Sequence, residues 1–167
     1  MKKRNAVAAA MLLALAGPLA QGARAEERAD ASQLHASDRD GIGYPACGLR
    51  LQISSNEPSD EVLTALPELR VTLGQVAEGF VEPRGDVSQT DVPLVIAPYT
   101  KYYASALRAI SVQITRYLQD EGFESVMVYP LEEQIDPETG HDLRGVGQVG
   151  LDLLVRADRP VKKGWFR

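Results

Sequence analysis

The stretch Tyr102–Tyr129, YYASALRAISVQITRYLQDEGFESVMVY, decides the reading of this chain. Tyr103, Leu107, Ile110, Ile114 and Leu118 recur at steps of four, three, four and four. At ~100° per residue these side chains fall on one face, which is the pattern of an amphipathic helix with one buried stripe. Gly122 follows the last periodic positions and suits the left-handed conformation that closes a helix. Val126 and Val128 then alternate with Ser125, Met127 and Tyr129 at the period of a strand, read as short and buried. The unit has the pattern of packing scaffold, and none of its residues forms a recognisable catalytic motif.

Upstream, Leu49, Leu51 and Ile53 alternate with Arg50, Gln52 and Ser54, predicting a strand with one wet face. Asn56–Ser59 reads as a turn, with Ser59 as cap of a short helix over 60–66 that Pro67 ends. Leu69, Val71 and Leu73 mark a second strand, and Glu78-Gly79 a tight turn into Phe80-Val81. Residues 83–90 read as a loop. Val92–Ala97, bounded by Pro93 and Pro98, reads as a short or edge strand. Downstream, 130–147 is a long polar connection. Val149, Leu151, Leu153 and Val155 then alternate with Gly150, Asp152, Leu154 and Arg156 as a last strand. Two helices among several short strands predict an α+β domain, a short mixed sheet with helices packed on one face.

The ends set the context. Lys2, Lys3 and Arg4 precede the apolar run Ala6–Ala20, and Ala23-Arg24-Ala25 fits a small-x-small cleavage site. Residues 1–25 therefore read as a secretory signal peptide. The run is ~15 residues, short for a hydrocarbon core of ~30 Å; an uncleaved anchor is the other reading of it. Removing 25 of the 167 residues leaves 142, enough for one domain. It also removes four basic residues, so 14 basic face 23 acidic and the formal charge becomes −9 from −5. Such a balance disfavours nucleic acid, whose phosphates need clustered Lys and Arg. Residues 26–43 read as a flexible polar leader, 44–157 as the folded domain, and 158–167 as a basic tail. Arg159, Lys162, Lys163 and Arg167, with Trp165 and Phe166, would suit a membrane surface or an acidic partner. Cys47 is the single cysteine, so no intrachain disulfide forms, and it reads as a small buried apolar residue.

Tyr103-Ala104-Ser105-Ala106, Ile110 and Ile114, Tyr117-Leu118, Gly122-Phe123 and Val126-Met127-Val128 together resemble a polypeptide-transport-associated (POTRA) domain. The type is that of haemolysin-secretion and two-partner-secretion outer-membrane transporters. Ile135-Asp136-Pro137, Gly140 and Asp142-Leu143-Arg144 are similar to that family's run between its last two strands. Gly79–Arg84 and Tyr44-Pro45 look like its N-terminal part. The likeness spans roughly 44–157. It implies a non-enzymatic periplasmic α+β module that binds a polypeptide substrate or an outer-membrane β-barrel protein. A 16-stranded barrel at ~9–11 residues per strand needs well over 150 further residues. Transport itself is therefore not carried over, and a fragment of a larger transporter is one reading. The resemblance places docking between the long helix and a neighbouring edge strand, with Val92, Leu94, Val95, Ile96, Arg108 and Arg144 as the partner-binding candidates. Edge strands leave backbone N–H and C=O groups free to pair with an extended peptide, and Val92–Ala97 and Leu49–Ser54 are the strands read as edges.

Little in the sequence points to catalysis. The two histidines are His35 in the polar leader and His141. Asp136, Glu138 and Asp142 surround His141 and offer oxygen ligands for a hard cation, the basis of an alternative reading as a small metal-binding protein or enzyme. The spacing is not that of an EF-hand loop, and Pro137 with Gly140 reads more simply as a turn. No nucleophile elbow, zinc-protease motif, P-loop or dinucleotide fingerprint occurs, so no catalytic residue, cofactor or metal ligand is assigned. The Gly145–Gly150 cluster precedes a strand rather than a helix, which is wrong for a phosphate cradle. Asp142 and Arg144 also read as a structural brace for the long connection.

Overall fold

Two mixed β-sheets share one long helix in the computed structural model, which describes residues 41–95 and 99–161. In chain order the elements are β1 (Gly43–Cys47), β2 (Leu49–Ser54), α1 (Glu61–Ala65) running into a 3-10 turn (Leu66–Glu68), β3 (Arg70–Val76), β4 (Gly79–Val81), β5 (Ser88–Pro93), β6 (Tyr99–Tyr103), α2 (Ala104–Asp120), β7 (Ser125–Pro130) and β8 (Leu151–Asp158). The first sheet has the order β1-β6-β4-β3-β5, antiparallel except for the parallel β4–β6 pair. The second has the order β2-β8-β7, with β2 parallel and β7 antiparallel to β8. The fold is α+β. It departs from the single sheet of the sequence reading because β1 and β3–β6 form one sheet and β2, β7 and β8 another.

The predicted helix stripe is the centre of the core. Leu107, Ile110, Ile114 and Leu118 are buried, together with Ala106 and Ala109. They join Val71, Leu73, Phe80 and Tyr102 from the first sheet and Leu49, Leu151, Leu153, Val155 and Ala157 from the second in one apolar cluster. A fully buried Leu, Ile or Val contributes about 1.5–3 kcal/mol, so the helix is held mainly by this packing. Arg108, Val112 and Arg116 form its exposed stripe, four residues apart. At its end Gly122 has φ +89°, its N–H donating to the Gln119 carbonyl at 3.0 Å and that of Phe123 to the Leu118 carbonyl at 3.0 Å. This paired closure is what the glycine stop predicts.

Several boundaries moved. Tyr99–Tyr103 is strand β6, and Tyr103 caps α2 in an extended conformation, so the helix starts at Ala104. Extended pairing with β1 satisfies this segment's backbone, which periodicity alone does not reveal. The strand read at Val92–Ala97 is displaced: β5 runs over Ser88–Pro93, taking in part of the expected loop. Asp60, not Ser59, caps α1, accepting from the Val62 N–H at 2.9 Å. Pro67 does not end the helical segment; it occupies the first turn of the 3-10 continuation, where its missing N–H costs nothing. Cys47 is exposed rather than buried, because the strand period turns Tyr44 and Ala46 inward and Cys47 outward. The last strand begins at Leu151, not Val149, whose carbonyl instead accepts from the Cys47 N–H at 2.7 Å. Residues 1–25, read as a signal peptide, the leader up to residue 40 and the tail from 162 lie outside the described residues.

Candidate functional site

β7 is the last strand of its sheet and has α2 packed against it. Val126 and Val128 turn half-buried toward the core, while Met127 and Tyr129 face outward with 45% and 36% of their surface exposed. The strand expected to be buried is thus half-exposed. Its hydrogen-bond polarity follows from the ladder. The Leu131 N–H donates to the Asp152 carbonyl at 3.1 Å, and Tyr129 and Met127 lie opposite Leu154 and Arg156 in the same register. In an antiparallel pair bonded residues alternate, so Val126 and Val128 direct their N–H and C=O groups away from β8. No strand lies on that side among the described residues.

Four strands form the described sheet edges: β1, β5, β2 and β7. Three carry blunting devices. β1 has Pro45 in its middle, β5 has Asp91 and Pro93, and β2 has Arg50. β7 has neither a charge nor a proline before its final residue, Pro130. Its outer face carries apolar side chains, with Tyr129 beside Leu154. An uncharged edge of this kind is where another chain adds most readily.

The six residues first assigned to partner binding are dispersed. Leu94 is 1% exposed and in the core, held by its N–H to the Leu69 carbonyl at 2.9 Å, so it is not available to a partner. Val92 faces the core beside Val71, and Val95 is half-buried. Ile96 lies outside the described residues. Arg108 is exposed on the outer stripe of α2. The Arg144 side chain is only 3% exposed. Its guanidinium makes a two-pronged contact with Asp142 at 2.9 and 2.7 Å and donates to the Gly150 carbonyl at 3.3 Å. Arg144 is therefore the brace of the 130–147 connection, not a surface for a partner. Of the two strands read as edges, Leu49–Ser54 is one, as β2; the other edge is β5, overlapping the predicted segment only at Val92 and Pro93.

Two of the acids around His141, Asp136 and Asp142, are held by hydrogen bonds within the loop. Asp136 accepts from the Glu138 and Thr139 N–H groups at 2.8 and 3.1 Å, which hold its carboxyl below the usual carboxylate range. Arg144 does the same to Asp142, chiefly through the side-chain hydrogen bond. An Ile135–Asp142 bridge closes this run, and Tyr44 donates its hydroxyl to the Gly140 carbonyl at 2.8 Å. Among the described residues no group of three His, Cys, Asp or Glu side chains is placed to hold a metal ion.

Arg159, assigned to the basic tail, is structural. It pairs with Asp60 at 2.7 Å, donates to the Glu121 carbonyl at 2.7 Å and lies 4.2 Å from the centre of the Phe123 ring. It thus joins the cap of α1, the end of α2 and the start of β7. No described helix is long and apolar enough to cross a membrane, which says nothing about strands. Comparison with protein-family models, with characterised proteins and with solved structures gave no match.

Proposed function

We propose that this chain is a non-enzymatic periplasmic module that binds an extended polypeptide, or a strand of an outer-membrane partner, by adding it to the free edge of β7. The observation that carries the reading is the uncharged β7 edge, with the backbone groups of Val126 and Val128 directed outward beside the long helix. The resemblance to a polypeptide-transport-associated domain and the signal-like N-terminus support it and give the context, outer-membrane protein secretion or assembly. Main-chain hydrogen bonds supply affinity in this mode, and pockets for alternate side chains supply selectivity.

The test uses one substitution that removes an edge donor without cutting the internal ladder. Val128→Pro deletes an outward N–H, and proline is tolerated on an edge strand when its nitrogen faces solvent. It should keep the fold and reduce binding of an extended apolar peptide about tenfold or more, measured by fluorescence anisotropy. A photo-reactive residue at position 127 should cross-link exported or barrel polypeptides in cell envelopes, whereas one at position 112, on the exposed stripe of α2, should not. Equal cross-linking at both positions, or unchanged peptide binding by Val128→Pro, would sink the proposal.

A further inference from the structure

The β7 edge is uncharged, but its two ends are not. Asp120, Glu121 and Glu124 are exposed just before it, and Glu132 and Glu133 are exposed just after it. None of these five carboxylates forms an ion pair with the cations of the described residues. Arg159 is paired with Asp60 and donates to the Glu121 carbonyl, its charge also acting on Glu121, and Arg156, opposite Met127, lies 3.6 Å from Asp158. The edge is therefore an uncharged strand flanked at both ends by exposed carboxylates.

We infer that this edge selects extended segments with an uncharged β-branched or aromatic centre and Lys or Arg on both flanks, and that the same carboxylates keep two copies of β7 from pairing with each other. The inference rests on the β7-addition reading and specifies its ligand. A strand laid along Val126–Pro130 in either direction places its flanking residues beside carboxylates, because both ends carry them. Opposite charges across a strand pair stabilise it and like charges destabilise it. Self-pairing is the hazard of any uncharged edge. The outward groups of Val126 and Val128 match a two-fold antiparallel pairing of β7 with itself centred on Met127. In that register Glu124 of one copy lies opposite Pro130 of the other and Glu121 is aligned with Glu133, so the acidic flanks of the two copies approach each other at both ends. Repulsion there disfavours the homodimer and leaves the edge open to a basic-flanked peptide, selectivity achieved partly by a repulsive element.

The test uses three peptides with one core, Val-Ile-Val-Tyr-Val, flanked on both sides by two lysines, two serines or two glutamates. Affinity for the purified chain lacking residues 1–25 is measured by fluorescence anisotropy. At ~10 mM salt the lysine-flanked peptide should bind about tenfold more tightly than the glutamate-flanked one. The difference should collapse near ~1 M salt, where the screening length falls to ~3 Å. A variant carrying Glu121→Gln, Glu124→Gln, Glu132→Gln and Glu133→Gln should bind all three peptides alike and show a dimer by sedimentation. A control carrying Glu61→Gln, Glu68→Gln and Glu138→Gln, outside β7 and its flanks, should keep the preference and stay monomeric. Equal binding of all three peptides by the unaltered chain overturns the inference while leaving β7 addition standing. So does a preference that disappears in the remote control instead of the edge variant. A monomeric edge variant overturns the bar to self-pairing. Failure of every peptide to bind overturns the β7-addition reading itself.

Discussion

At the scale of single residues, Asp142 and Arg144 show how a surface carboxylate becomes structural. The Arg144 guanidinium is almost fully covered, and Asp142 supplies its charge partner and most of its hydrogen bonds. Removing that partner strands a buried cation, which for a pair with one exposed member costs on the order of 2–3 kcal/mol. Asp142→Asn should therefore lower stability at neutral pH by about that amount in urea unfolding. The pH dependence has a definite sign. The hydrogen bond from Arg144 lowers the Asp142 pKa in the fold. A depressed carboxylate contributes stability that is present above its unfolded value of about 4 and is lost as pH falls through the folded value. The stability of the native chain should thus fall below pH ~4 more steeply than that of Asp142→Asn. Parallel acid limbs for the two proteins would mean that the pair has no such role. The sequence suggested this brace from the two residues themselves, while its third hydrogen bond, to the Gly150 carbonyl, and the Tyr44 bond that ties the same loop to β1 came only from the fold.

At the scale of elements, α2 does more than bury a stripe. β4 is only three residues long, so it pairs with β3 over Gly74–Val76 and leaves Thr72 without a strand on that side. Gln113 of α2 fills the gap: the Thr72 N–H donates to its Oε1 at 2.9 Å, and its Nε2 donates to the Thr72 carbonyl at 2.8 Å. Gln113→Leu would leave two backbone groups unpaired and should cost about 2–3 kcal/mol, whereas Arg116→Leu on the exposed stripe should cost little. Equal costs measured by thermal unfolding would show that Gln113 is a surface residue. The β4–β6 pair is equally strict. A Cβ at Gly79 would lie 1.9 Å from the Lys101 carbonyl oxygen, while one at Gly85 meets nothing within 4 Å. Gly79→Ala should therefore separate β4 from β6 and cost several kcal/mol, with Gly85→Ala close to neutral; a Gly79→Ala protein as stable as the native chain would place β4 elsewhere. The sequence reading put Gly79 in the turn, whereas it is the first residue of β4. The turn lies at Ala77-Glu78, and the glycine is required by backbone approach.

Across the described chain, both sheets and the long helix close on one apolar cluster with Ile110 fully buried inside it. Ile110→Asp should abolish cooperative unfolding, because an unpaired buried carboxylate costs several kcal/mol of a total of ~5–15 kcal/mol. A folded Ile110→Asp protein, judged by circular dichroism and melting, would refute that placement. The amino-acid sequence by itself determined the α+β class, the buried stripe of α2, the Gly122 stop and the β2, β7 and β8 strands. Each follows from side-chain period and local backbone chemistry within ten or twenty residues. Only the tertiary structure decided that the strands divide into two sheets, that β7 is an edge, that Leu94 and Arg144 are interior, and that Arg159 anchors three elements. β2 pairs with β8 across 102 residues, as in the Arg50–Asp152 contact, and Arg159 reaches Asp60 across 99. Whether a strand lies at an edge depends on which partners the rest of the chain delivers to it, and the alternation of its own side chains is the same in either position.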